Sequence, residues 1–121
     1  AKPKAGDNFF DVGSGVGRIV IAAALLQPTL GNACGLEILP ALHLKAEEAS
    51  TSLVYTPLIR APLQFACVDI YSEVAGNMLS LADIVFSYSV TWARDDQNRL
   101  TELSRLLADK VRPGTRIIVV D

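Results

Sequence analysis

Phe9-Phe10-Asp11-Val12-Gly13-Ser14-Gly15-Val16-Gly17-Arg18 sets two aromatics and a valine ahead of three glycines at alternate positions, and an apolar, alanine-rich run follows at once. That order reads as a buried strand, a tight turn and the start of a helix. Glycines suit such a turn because a missing Cβ lets a ligand approach the backbone, and because positive φ costs glycine little. Spacing narrows the ligand. A dinucleotide fingerprint requires G-x-G-x-x-G; here Arg18 stands at the final position and the third glycine comes one place earlier.

Outward from this turn, strand-like and helix-like segments alternate. Asn8 to Val12 is predicted as the first strand. Val16 to Gln27 is predicted as the first helix, apolar on nearly every side and so expected to be largely buried against a sheet. Pro28 and Gly31 stop it. Ala33 to Leu39 reads as a second strand carrying Glu37. Pro40 then opens a helix to about Leu53, with Leu42, Ala46, Ala49 and Leu53 at helical spacing on its inner face. Val54 to Pro62 is a connecting loop, Leu63 to Ile70 a third strand, and Ser72 to Leu79 a short helix. Asp83 to Val90 is a fourth strand. A helix from about Asp95 to Val111 turns Leu100, Leu103, Leu106, Leu107 and Val111 inward, with Arg94-Asp95-Asp96 at its start, where acids suit the helix dipole. After the turn at Pro113-Gly114, Thr115 to Val120 is a fifth strand. The alternation predicts an α/β fold: a parallel sheet with right-handed crossovers and helices on both faces. Ile117-Ile118-Val119-Val120 is followed by nothing that covers a hydrophobic edge, and the first strand begins near the other end. The expectation is one domain, residues 1–121, forming the core of a longer protein.

The chain of 121 residues is large enough for one core, and its 50% hydrophobic and 20% charged content is ordinary for an α/β protein. A net charge of −2 supplies no basic field for a nucleic-acid backbone. No apolar run approaches the roughly 20 residues of a membrane span, Ile19 to Leu26 being far too short, and no signal-peptide pattern is present. Cys34 and Cys67 read as buried free thiols in a reducing compartment, which leads to an intracellular expectation, cytoplasmic or nuclear. His43 stands alone with no neighbouring metal ligand, and Lys45-Ala46-Glu47-Glu48 is a solvated face.

Ligands of open parallel sheets bind beyond the carboxyl ends of the strands. Asp11, Glu37 and Asp69 close the first three strands. Asp11 would oppose a pyrophosphate but welcome an ammonium or sulfonium group. Glu37 lies about twenty residues beyond Gly17, the separation at which an acid accepts hydrogen bonds from ribose hydroxyls. Asp69 would accept from the exocyclic amine of adenine, with Ile70 or Val68 against the ring. Together these features point away from a nicotinamide cofactor and towards S-adenosylmethionine. A nicotinamide oxidoreductase and a non-catalytic nucleotide-binding interaction module stay open as other readings. Arg18 reads as a solvated or salt-bridged residue, and Trp92 as either core or substrate platform.

The strings FFDVGSGVGRIVIAAALL, CGLEILPALHLKAEEA, FACVDI and ADIVFSYSVTW resemble the seven-stranded (class I) S-adenosylmethionine-dependent methyltransferases over nearly the whole chain. Within them the chain is most similar to the non-SET histone-lysine methyltransferases of the disruptor-of-telomeric-silencing type and their algal and protist relatives. The resemblance implies a Rossmann-like, doubly wound three-layer α/β/α fold with strand order 3-2-1-4-5, the last strands of the full fold being absent. It implies that Asp11, Gly13 and Gly15 contact the methionine part, Glu37 the ribose and Asp69 the adenine, with Ser14, Gly17, Ile38, Ile70 and Ser87 completing the cofactor site. Where the histone enzymes carry an Asn-Asn-Phe type motif, this chain has Tyr88-Ser89-Val90-Thr91-Trp92, so Tyr88, Ser89 and Trp92 are the candidates for an acceptor pocket. The implied activity is methyl transfer to a protein side chain, histone lysine included, or to a small molecule; no general base, metal site or oligomeric state is indicated.

Overall fold

The computed structural model describes residues 2–89, 92, 96 and 100–120. Among them five strands and four helices alternate: β1 (Asn8–Val12), α1 (Arg18–Leu26), β2 (Asn32–Glu37), α2 (Pro40–Val54), β3 (Leu63–Cys67), α3 (Glu73–Leu79), β4 (Ile84–Tyr88), α4 (Thr101–Lys110) and β5 (Arg116–Val120). The strands form a single parallel sheet in the order β3-β2-β1-β4-β5. Each crossover is a helix, as parallel neighbours require, and the reversal of strand order falls beside β1. The doubly wound α/β expectation holds.

Side-chain alternation along β1 divides the core into two layers. Phe10 and Val12 face α3 and α4, joining Cys34, Leu36, Val85, Leu79, Leu103 and Leu107 in one buried cluster. Phe9 faces the other way, against Val20 and Ala24 of α1, with Ala33, Leu30 and Ile84. Asp11 lies between Phe10 and Val12 and therefore shares the Phe9 side. Leu103, Leu106 and Leu107 of α4 are buried as their spacing predicts, and Ala46 is the buried residue of α2.

Several boundaries differ from the sequence reading, each for a local reason. α1 starts at Arg18, not Val16, because Gly17 caps it with φ 86°, outside the helical region. Only Val20 and Ala24 of this helix are buried, while Ile19 and Leu26 are exposed, so it presents one apolar stripe to the sheet and is not largely buried. β2 ends at Glu37 and β3 at Cys67, because these two are the last pair in register. Val68 adds one more bond, its N–H donating to the Glu37 carbonyl at 3.0 Å. α3 is shorter by one residue, since Ser72 is its N-cap and accepts from the Ala75 N–H at 3.2 Å. The expected start of the last helix at Asp95, the Arg94-Asp95 part of its acidic opening, and Val90 at the end of the fourth strand lie outside the described residues.

β5 is an edge strand whose Ile117, Ile118, Val119 and Val120 are all exposed, as the sequence predicted. Cys34 is buried and Cys67 exposed, both free. The expectation of two buried thiols is corrected for Cys67, which sits at the tip of the other edge strand. No helix among the described residues is long and apolar enough to cross a membrane.

Candidate functional site

The turn after β1 is built from the main chain upward. Gly13 and Ser14 donate their N–H groups to the Leu36 carbonyl at 2.8 and 3.0 Å, which ties the bend to β2. Gly13, Gly15 and Gly17 all have positive φ, yet they do different work. A Cβ on Gly15 would meet nothing within 4 Å; it faces open space above the strand ends. A Cβ on Gly17 would lie 2.9 Å from the Phe65 ring and 3.0 Å from the Ala46 Cβ. Gly17 thus packs where the bend meets α2 and β3, and it does not line the cleft described below.

Above the bend opens a cleft of about 460 Å³, lined by Gly13, Gly15 and the ends of β2, β3 and β4. Glu37 and Asp69 supply its carboxylates; Leu36, Ile38, Leu39, Leu42 and Ile70 supply apolar wall; Tyr71, Tyr88 and Trp92 supply aromatic faces. No lysine, arginine or histidine lines it among the described residues. A cleft of that composition repels phosphate and favours a neutral or cationic ligand.

Glu37 is 7% exposed, and each of its carboxylate oxygens accepts one backbone N–H. Its Oε1 accepts from the Gly15 N–H at 2.7 Å and its Oε2 from the Leu39 N–H at 2.9 Å. A carboxylate offers about four lone-pair sites, so one per oxygen is left for a ligand donor. Asp69 is exposed; its Oδ1 accepts from the Tyr71 N–H at 2.9 Å. The two predicted acids therefore meet at one cleft, with Ile38 and Ile70 beside them as the sequence reading placed them.

Asp11, Ser14 and Ser87 are not in the cleft wall. Asp11 is 3% exposed and sits beneath the bend, its Oδ1 without a hydrogen-bond partner. Burial, reinforced by the nearby Glu37 charge, raises its pKa to about 7. Ser14 is buried, its Oγ also unpartnered, and it fills the space where a Cβ on Gly35 would stand, 2.6 Å away. Ser87 is fully buried, its hydroxyl 2.5 Å from that of Ser89. Ser89 is fully buried as well and does not line the cleft, whereas Tyr88 and Trp92 do. Trp92 packs against the core layer below and also lines the cleft. Its ring lies over Gly13, where a Cβ would come 2.7 Å from Cζ2. A side chain on Gly13 would thus run into Trp92, although the residue itself is exposed, whereas one on Gly15 would meet open space.

Leu36, Leu39, Leu42 and Tyr71 line the cleft without having been singled out from sequence. Leu42 was assigned to the inner face of α2 by its spacing; being in the first turn, it reaches past the sheet into the cleft mouth. His43, further along that turn, pairs with Glu47 at 3.5 Å.

No protein-family model matches the chain, and no curated protein matches it in sequence. Solved structures do match. The methyltransferase domain of bacterial CtHen1-C superposes with a TM-score of 0.70 at 15% identity, covering 95% of this chain and 56% of that one. The plantazolicin methyltransferase BpumL in complex with SAH gives 0.64 at 16% identity, covering 93% and 38%. The precorrin 8w decarboxylase of Methanobacterium thermoautotrophicum gives 0.64 at 21% identity, covering 97% and 55%. The chain spans between 38% and 56% of the length of these neighbours. The likeness reaches the broad fold and gives no support to the narrower histone-lysine resemblance. By its strand order and its neighbours, the chain has the Rossmann-like α/β fold of S-adenosylmethionine-dependent methyltransferases.

Proposed function

We propose that residues 1–121 form the core of an S-adenosylmethionine-dependent methyltransferase, with the adenosyl ligand held in the cleft above the glycine bend. The observation that carries this reading is Glu37, buried and anchored on the Gly15 N–H, with Asp69, two residues past the end of β3, lining the same cleft. The residues present fit the ligand. Gly15 leaves open the space a Cβ would fill, and the lining is acidic and apolar, with no cationic side chain among the described residues to oppose a sulfonium.

Glu37 would accept from the ribose hydroxyls with its remaining lone pairs, and Asp69 from the adenine amine. Leu36, Ile38 and Ile70 supply the dry surface for the ring. When bound, S-adenosylmethionine supplies a methyl group on a sulfonium, already an activated leaving group. What is left to the protein is chiefly positioning of the acceptor at attack distance and angle, the role assigned here to Tyr88 and Trp92. The acceptor is a protein side chain or a small molecule. A protein acceptor would include histone lysine.

A second reading, a binding module without turnover, draws on the indole ring of Trp92 resting on Gly13, where the methionine part is expected. Trp92 is the one tryptophan of the chain, and its place at the cleft floor makes its fluorescence a reporter of occupancy. Titration with S-adenosylmethionine or its demethylated product is expected to change that emission saturably. Glu37→Gln is expected to weaken binding about 10- to 100-fold, since a hydrogen bond to a charged acceptor contributes about 1.5–3 kcal/mol. No saturable signal from the parent, confirmed by calorimetry, defeats the ligand assignment. Binding without methylated product from any amine, hydroxyl or protein acceptor favours the module.

A further inference from the structure

Asp11 is the buried titratable group that the reading above leaves unused, and its surroundings define a role. It pairs in register with Gly35 on β2 and Phe86 on β4. Ser14 comes down from the bend onto Gly35, and its hydroxyl, like the Asp11 Oδ1, is buried without a hydrogen-bond partner. From α1 the inward residues are the apolar Val20 and Ala24, and its charged residue, Arg18, is exposed. α2 packs on β2 and β3, and its His43 is engaged with Glu47. The charge that reaches Asp11 is Glu37, two residues beyond Gly35 on the same face of β2. Two carboxylates thus lie beneath and beside one bend. Glu37 is held by two N–H groups, whereas the Asp11 Oδ1 has no donor.

Resting on the reading of this cleft as a site for a sulfonium-bearing adenosyl ligand, we propose that Asp11 is a proton-linked positioning residue, keeping its proton in the empty site and releasing it when a cation settles over the bend. The proton passes to solvent and no other bond changes. The cation takes over the task of offsetting the Glu37 charge, so the second carboxylate ionises in place. Capture of a cationic ligand then strengthens as pH rises through neutrality, whereas capture of a neutral nucleoside does not. The burial that raises the Asp11 pKa to about 7 sets that window.

The test is calorimetric titration of the parent and Asp11→Asn with S-adenosylmethionine, and with adenosine as the neutral probe, in buffers of differing ionisation heat between about pH 6 and about pH 8. Linkage to one carboxyl limits the gain to about tenfold in affinity per pH unit. The expected result is a several-fold steeper rise for the parent than for Asp11→Asn, with correspondingly more protons released. Taking the difference cancels the ligand's own titration, and adenosine is expected to show no such difference. Because the variant removes a buried group, ¹³C NMR of the Asp11 carboxyl in the unaltered, ligand-free protein is the second readout. A midpoint near neutrality supports the proposal, and one in the usual carboxylate range overturns it. Equal pH slopes for parent and variant, with binding intact, overturn this inference alone. Absence of binding in both overturns the ligand reading and this inference with it.

Discussion

The glycines of the bend should separate cleanly when each receives a methyl group. Gly17 carries φ +86°, and a Cβ there would approach the Phe65 ring at 2.9 Å and the Ala46 Cβ at 3.0 Å. The left-handed backbone costs a non-glycine residue about 1–2 kcal/mol, and forcing a methyl into a filled contact adds about 1–3 kcal/mol. Gly17→Ala is therefore expected to destabilise by about 2–5 kcal/mol, a large part of the roughly 5–15 kcal/mol available to a domain. Gly15 shares the positive φ, at +57°, but a Cβ there meets nothing within 4 Å. Gly15→Ala should cost only the backbone share, about 1–2 kcal/mol, while its methyl stands where the ligand would approach the main chain. Urea unfolding followed by far-ultraviolet circular dichroism gives both stabilities, and Trp92 emission gives binding. The packing assignment of Gly17 fails if Gly17→Ala and Gly15→Ala unfold at the same denaturant concentration. It fails equally if Gly17→Ala loses ligand binding at parental stability.

Three further outcomes follow from residues away from the glycines. Asp11 binds its proton more tightly folded than unfolded, so its contribution to stability falls as pH rises from its ordinary 3.8 to about 7 and is flat above that. Between about pH 5.5 and about pH 8.5 the parent should lose about 2 kcal/mol that Asp11→Asn does not; parallel curves in urea unfolding would sink the claim. Burial pushes the Cys34 thiol up to about 12 while Cys67 is exposed, so a disulfide reagent at neutral pH should label Cys67 quickly and Cys34 only on unfolding, as peptide mapping will read. Asp83 accepts from the Asn8 N–H at 2.8 Å and from Arg112 at 2.8 Å, joining the starts of β1 and β4 to the turn before β5. Asp83→Ala should cost about 1–3 kcal/mol, chiefly by leaving the part-buried Asn8 N–H unmatched, since Arg112 keeps the Leu81 and Ala82 carbonyls; ligand affinity should not change, because the network lies at the far ends of the strands from the cleft.

The fold was legible because the chain obeys simple periods. Apolar strands, glycine or proline stops and helical spacing agree on alternating strands and helices, hence a parallel sheet, while the strand order came with the family resemblance. Element ends were less legible because they depend on a partner: β3 stops at Cys67 because Glu37, opposite, is where β2 stops. Strand-end position singled out Glu37, Asp69, Ile38 and Ile70, which line one cleft because they stand where the sheet stops. It also singled out Ser87 and Ser89, which are buried and do not line it. Residues two apart share a face, and here that face is inward, which leaves Tyr88 between them to look into the cleft. Period-two reasoning applied to Ser87-Tyr88-Ser89 had enough to separate them. Gly17 stands apart from the cleft for another reason. A glycine needed for close packing against Phe65 and one needed for ligand approach have the same letter, and only the position of β3 tells them apart. The position of Trp92 over Gly13 had no sequence signal at all, since it joins the chain beyond β4 to the turn after β1.

Glu37 explains why the cleft needs little rearrangement to become a site. One carboxylate oxygen holds the bend through Gly15 and the other holds the start of α2 through Leu39, while its main-chain carbonyl takes the Val68 N–H beside Asp69. Three segments that a ligand must find in register are thereby fixed by a single buried residue before any ligand arrives. Donors from a sugar add to these bonds on the free lone pairs and need not displace them. The ordering cost of binding, about 0.5–1.5 kcal/mol for each immobilised side chain, has at Glu37 already been met in folding. Removing the carboxylate should therefore loosen the empty site as well as weaken the ligand. Amide exchange at Gly15 and Leu39 in Glu37→Ala should quicken without any ligand present. Unchanged protection at those two amides would mean that the bend is held by its bonds to Leu36 alone, and that Glu37 serves only the ligand.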